Sequence, residues 1–205
     1  TATPRFWMAR ENCEGLGIRA RYWQIDTSAR LDIPHPPFAI LSGVEAHAFD
    51  IEATQRAHFC SFDLQFAGGM RYGKLNTDIG IPAIGGVIGM DFEGIGPTVA
   101  LGMSRSIGCR GLSLVSNVRG SWLYGDTSGY GGIFGIGGPI LDVNDHMMQV
   151  WEVQLGVEWT RCMGPGEVVA RLAWEAQAWE WAPVASLLHQ DVGFTGPAFS
   201  LGYNF

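Results

Sequence analysis

The feature that most constrains this chain is a strict two-residue alternation of apolar and polar side chains. Over 151–159 one face reads Trp151, Val153, Leu155, Val157 and Trp159, and the other reads Glu152, Gln154, Gly156 and Glu158. A period of two puts successive side chains on opposite faces of an extended strand, so the stretch predicts a strand with one greasy and one polar face. The same pattern returns along the chain. Phe49 and Ile51 oppose Asp50, Glu52, Thr54 and Arg56, and Phe62, Leu64, Phe66, Met70 and Tyr72 oppose Asp63, Gln65 and Arg71. Leu112, Leu114, Val118, Trp122 and Tyr124 oppose Asn117, Arg119 and Ser121; Leu172 and Trp174 oppose Arg171 and Glu175. Near the end, Phe199, Leu201, Tyr203 and Phe205 form the apolar set.

Read this way, the sequence predicts nine strands over 4–11, 15–26, 47–59, 61–75, 92–106, 111–125, 148–161, 168–181 and 194–205. They follow one another in antiparallel hairpin order, an all-β, up-and-down arrangement in a single domain spanning 1–205. One polar face suits either a soluble sandwich with its polar side outward or a membrane barrel with its polar side inward. Three observations favour the barrel. The predicted strands exceed the 9–11 or so residues that a barrel span needs, whereas globular strands average about 5–6. The polar faces carry Gly, Ser, Asn and Gln rather than Lys, and charged residues are only 16% of the chain against about 25% in soluble domains. Trp151 and Trp159 bracket an aliphatic face about 20 Å tall once strand tilt is allowed for, near the height of the apolar band between aromatic girdles.

The most apolar run, 79–90, is short and broken by Gly and Pro, which excludes a membrane helix there. A net charge of −7 argues against a nucleic-acid partner. The connections near 12–15, 59–61, 106–111 and 161–167 read as short turns, and 27–46, 76–91, 126–147 and 182–193 as long loops rich in Gly and Pro. Short turns on one rim and long loops on the other match the outer-membrane arrangement, with the short turns and the C-terminus periplasmic. Nine is an odd number, so a tenth strand upstream of the first is expected. Cys13, Cys60, Cys109 and Cys162 all fall in or beside the short turns. Four cysteines allow three pairings, among which the sequence does not choose; Cys13–Cys60 with Cys109–Cys162 is the pairing expected. No C-x-x-C pair and no histidine accompany them, so no metal site is expected.

Several stretches also resemble a known family. Gly15-Leu16-Gly17-Ile18-Arg19-Ala20-Arg21-Tyr22-Trp23, Gly69-Met70-Arg71-Tyr72, Phe92-Glu93-Gly94-Ile95-Gly96-Pro97, Gly120-Ser121-Trp122-Leu123-Tyr124-Gly125 and Trp174-Glu175-Ala176-Gln177 together resemble the Legionella-type pore-forming outer-membrane protein family in its planctomycete-like form. The resemblance runs from about Pro4 to Phe205 and implies an outer-membrane barrel; the family label implies a pore. The ending Phe199, Leu201, Tyr203, Phe205 resembles the C-terminal assembly signal of such barrels.

No catalytic constellation stands out. The five histidines are scattered, no H-E-x-x-H or G-x-S-x-G is present, and the glycine run 129–138 follows no βαβ pattern, so no enzyme activity and no cofactor are expected. The inward set is more informative: Arg19, Arg21, Arg56, Arg71, Arg119 and Arg171 against Asp50, Glu52, Asp63, Glu152, Glu158 and Glu175. Small barrels have interiors filled by side chains. The expectation is therefore a charge-paired, largely filled lumen and a structural or envelope-assembly role; the alternative is a narrow porin-like channel for small solutes. A lipocalin-like carrier would need an apolar lumen, which the inward set does not suggest. Trp122, Tyr124, Trp151, Trp159, Trp174, Tyr203 and Phe205 are the expected aromatic girdle. The expected partners are outer-membrane lipids, with further copies of the chain or other envelope proteins.

Overall fold

The structure, a computed structural model, describes residues 5–34, 37–82, 85–108, 111–133, 136–163, 166–181 and 192–204. Nine strands make one antiparallel sheet in chain order: β1 (Arg5–Glu11), β2 (Leu16–Pro34), β3 (Pro37–Phe59), β4 (Phe62–Ile81), β5 (Gly86–Ile107), β6 (Leu112–Ile133), β7 (Ile136–Met163), β8 (Gly166–Trp181) and β9 (Val192–Asn204). The described residues contain no α-helix. The sheet curls so that its concave face becomes an interior.

The alternation sorts side chains inside out relative to a soluble domain. Ile51, Met70, Ile95, Val99, Val118, Val153, Leu155, Leu172 and Leu201 are exposed, while Asp50, Glu52, Arg71, Arg119, Glu152 and Glu175 are buried. Water would penalise both choices; a hydrocarbon surround rewards both. The outward side chains also change character at one register row. Tyr22, Phe49, Tyr72, Ile95, Tyr124 and Met147 are cross-strand neighbours from β2 to β7. The next outward row away from the short turns is Gln24, His47, Lys74, Glu93 and Asp126. Apolar band, aromatic row and polar collar follow in the order that a membrane interface requires.

The strands are longer than the alternation alone indicates. Segments 27–46, 76–91 and 126–147, expected as loops, are the paired upper arms of three hairpins, closing at Pro34↔Pro37, Ile81↔Gly86 and Ile133↔Ile136. Glycine and proline interrupt the alternation in these arms without breaking the ladder, for physical reasons. Pro34 and Pro37 sit at a strand end, where a missing donor costs little. Pro139 sits at a register shift between β6 and β7, and Asp145 (φ 61) marks another irregularity near Gly125/Thr127. Many glycines lie under a neighbour's large side chain: a Cβ on Gly120 would meet the Trp151 ring opposite it. Of the fourth expected loop, 182–193, residues 182–191 lie outside the described residues.

The short turns are chemically specified. Asn12 Oδ1 accepts from the backbone N–H of Glu14 (3.0 Å) and Leu16 (2.9 Å), and Gly15 takes a left-handed φ of 78. Cys60 carries a φ of 56 in the turn that joins Phe59 to Phe62. Among the described residues no ladder joins β1 to β9. Side chains bridge the two edges instead: Trp7 lies against Gly202, and Arg5 on β1 pairs with Glu175 on β8.

Candidate functional site: a two-layered interior

Inward positions on neighbouring strands share register rows, which is what assembles the ionic layer. Arg21, Asp50 and Arg71 are successive neighbours across β2, β3 and β4. Arg21 Nε donates to Asp50 Oδ2 at 2.8 Å, and Arg71 Nε donates to Asp50 Oδ1 at 2.6 Å. Arg19 Nε donates to Glu52 Oε2 at 2.9 Å. On the opposite wall Arg119, Glu152 and Gln177 are successive neighbours across β6, β7 and β8, and Gln177 Nε2 donates to Glu152 Oε1 at 3.0 Å.

The two walls then lock across the interior. Glu152 takes Arg71 Nη1 at 2.6 Å and Arg21 Nη2 at 3.0 Å, both from the far side. Arg119 reaches back to Glu52, with Asp50 and Glu152 each 3.8 Å away. Thr98 and Ser121 share a 2.8 Å hydrogen bond beside it. Glu175 pairs with Arg5 and accepts from Gln154 Nε2 at 3.2 Å. Toward the short turns the pairs become more exposed: Arg171 with Glu158 at 2.5 Å, Arg56 with Glu11 at 3.1 Å, and Asp63 with His58. Eleven of the twelve predicted lumen residues therefore have an opposite charge beside them, Arg56 and Glu175 finding it outside the predicted set, while the twelfth, Asp63, meets the His58 imidazole. Arg5, Glu11, Gln65 and Gln177 join the network from outside the predicted set; Gln65 accepts from Arg19 at 3.0 Å and donates to Glu11 at 2.8 Å. Their signal was available, since all four continue the inward parity of their strands.

Above the ionic layer the interior changes to hydrocarbon. Trp23, Ala46, Ala48, Leu75, Phe92, Leu123, Met148, Val150 and Trp179 pack into one buried cluster, with Trp23 1% and Trp179 0% exposed. The two indoles meet edge to face, centroids 6.2 Å apart at 70°. Arg5 stands over the Trp23 ring at 5.7 Å and so ties the two layers together. This corrects the expectation of a lumen without apolar character. Trp23 simply continues the inward row of Arg19 and Arg21, and Trp179 that of Glu175 and Gln177, so alternation points each indole inward while hydropathy alone suggests the lipid face. Below the ionic layer the interior opens into polar cavities of about 340 and 300 Å³.

Of the expected girdle, Tyr124, Trp151, Trp159 and Trp174 face outward and exposed. Trp122 is half-buried, edge to face with Trp151 at 5.8 Å. Trp174 Nε1 donates to Thr195 Oγ1 at 3.0 Å. Tyr203 lies on β9, and Phe205 falls outside the described residues. Cys13, Cys60 and Cys162 are free, exposed thiols at the short-turn rim, so neither expected bridge is formed; Cys109 lies outside the described residues. Turns joining different strand pairs stand about 10 Å apart, beyond the reach of a disulfide without inclination. Cys162 Sγ instead lies 3.7 Å from Glu167 Oε1.

The family comparison agrees with this geometry. Residues 36–205 match the family described as Legionella pneumophila major outer membrane protein precursor. No curated protein and no solved structure matches the chain. An exposed apolar band, an aromatic row, a buried ionic interior and a family match over most of the sequence lead to one assignment: this chain is an outer-membrane β-barrel protein belonging to the Legionella major outer membrane protein family.

Proposed function

We propose that the protein is a closed barrel with a structural or envelope-assembly role, working through its lipid-facing wall and its long hairpins rather than by conducting solutes. The observation that carries this reading is the interlock of guanidinium and carboxylate groups from opposite walls, directly beneath a buried apolar layer. An open aqueous pore leaves its charged side chains hydrated, whereas here Asp50 and Arg71 are fully buried. The long hairpins face the exterior, and the short turns and C-terminus face the periplasm. The polar cavities below the ionic layer are blind vestibules on that periplasmic side. Its partners are the surrounding lipids and other envelope proteins, and it performs no chemistry of its own.

Planar-bilayer conductance of the refolded protein, paired with liposome swelling in arabinose and glycine, tests the reading. No stepwise conductance above the bare bilayer and no swelling are expected. Discrete openings that also admit arabinose would overturn the closed barrel and establish a narrow channel.

A further inference from the structure

Beyond the aromatic row the outward face of the hairpins becomes acidic and then unusually flat. Asp26, Glu45, Asn76, Asp91 and Ser128 are cross-strand neighbours. One outward row further, Ser28, Gly43, Asp78, Gly89, Tyr130 and Pro139 are neighbours from β2 to β7. In this row two side chains lie down over two glycines. A Cβ on Gly43 would meet the Asp78 carboxylate, and a Cβ on Gly89 would run into the Tyr130 ring. The phenol thus rests on the sheet with Asp78 beyond Gly89, and Asp91 on the same face two residues along β5. Desolvation, then the charges of Asp91 and Asp78, push the Tyr130 phenol above its ordinary value. Beside it runs a groove of about 560 Å³ lined by Val87, Tyr130, Ile136, Pro139 and the glycine backbone of 129–132 and 137–138.

We infer that this shelf docks a basic, apolar peptide segment of a partner protein, with a Lys or Arg against Tyr130 between Asp78 and Asp91 and the adjoining aliphatic side chains in the groove. An aromatic face flanked by two carboxylates attracts a cation on both counts and repels an anion. The acidic row beneath turns away an anionic lipid headgroup. The glycine walls let an extended backbone approach closely, and the exposed Val87 and Ile136 in the groove offer apolar surface well outside the lipid band. A second copy does not supply the complement through the same hairpins, because no Lys or Arg occurs from Asp78 to Ser104 or from Gly120 to Thr160.

The test uses the full chain in phosphatidylcholine nanodiscs and two labelled 12-residue peptides, one alternating Leu with Arg and one alternating Leu with Glu, read by fluorescence anisotropy. The Leu–Arg peptide is expected to bind saturably and more weakly in high salt, and the Leu–Glu peptide not to bind. Asp78→Asn with Asp91→Asn, and separately Tyr130→Ala, should each weaken binding about tenfold, the size expected for two exposed ion pairs or one stacked cation. All three positions are polar and outward, and retained heat-modifiable migration on gels verifies that the variants fold. Equal affinity of wild type and variants, equal affinity of both peptides, or the same signal from empty nanodiscs would overturn the inference. So would self-association of the protein that these substitutions abolish, since that outcome assigns the shelf to a second copy.

Discussion

Neutralising Glu152 is the sharpest probe of the ionic layer. Its carboxylate, nearly buried, holds Arg71 at 2.6 Å and Arg21 at 3.0 Å, has Arg119 at 3.8 Å, and accepts from Gln177 at 3.0 Å. Glu152→Gln keeps the shape and an acceptor oxygen, so the change removes charge and little else. Two ion pairs at about 3 Å carry several kcal/mol each even at an effective dielectric of about 20, and relief of the carboxylate's own desolvation returns part of that. The net cost is about 3–5 kcal/mol, the range for stripping one partner from a buried cluster. Arg19, Arg21, Arg71 and Arg119 would then face only Asp50 and Glu52. Adding Arg71→Gln restores the original charge excess, so the double variant should be more stable than Glu152→Gln alone.

The assay is reversible urea unfolding in lipid vesicles followed by tryptophan emission, with Glu14→Gln at the exposed first turn as a control that should move stability by less than about 0.5 kcal/mol. If Glu152→Gln costs no more than Glu14→Gln, or if the two network substitutions simply add, the side chains do not act as one unit and the interlock argument fails.

Three further outcomes follow from the same structure. Val153→Arg or Leu155→Arg should cost about 2–4 kcal/mol by the same unfolding assay, since both point outward into the apolar band, while the inward Gln154→Arg should be much milder; equal costs for all three would remove the lipid assignment. Gly69→Ala should destabilise by about 1–3 kcal/mol, because its Cβ would meet the Ile51 carbonyl on the adjacent strand; a neutral result in urea would mean that β3 and β4 can part there. Emptying either interior layer by itself, Arg71→Ala with Glu152→Ala or Trp23→Ala with Trp179→Ala, should leave single-channel traces silent, and only the quadruple variant should show discrete openings; openings from either pair alone would show that one layer suffices to seal the barrel.

The strands that hold the ionic layer were legible because alternation there is uninterrupted: 148–161 and 168–181 already contain Glu152, Glu158, Arg171 and Glu175 with correct facing. What escaped was the upper half. There glycine takes the place of the outward polar residue in several rows, as at Gly43, Gly80 and Gly89, so the period vanishes from hydropathy while the ladder continues. A glycine under Tyr130 or Asp78 is part of a two-residue unit whose other half lies on the next strand, and one-dimensional periodicity cannot register it. The buried indoles escaped for the converse reason. Trp23 and Trp179 look like girdle residues by type, and only their parity relative to Arg21 and Gln177 places them inside.

The order of the layers has a physical logic of its own. Arginines and acids in register face one another at the lipid-embedded level, where strands cannot part to let water in and every buried charge must find its partner within the wall. Beyond the aromatic row the outer face returns toward water, and the hairpin arms need a dry interior to hold them together as any soluble sheet does. Trp23, Phe92, Leu75, Leu123, Met148 and Trp179 provide it. The chain thus reverses its burial rule along each strand, with charge inside and hydrocarbon outside in the band, then hydrocarbon inside and charge outside above it. On β4 the exchange takes only a few residues: Arg71 inward and Tyr72 outward give way to Leu75 inward, with Lys74 and Asp78 on the outer face. The height of that exchange is the membrane surface recorded in the sequence, and it coincides with the row of Tyr22, Phe49, Tyr72, Ile95 and Tyr124 on β2 to β6.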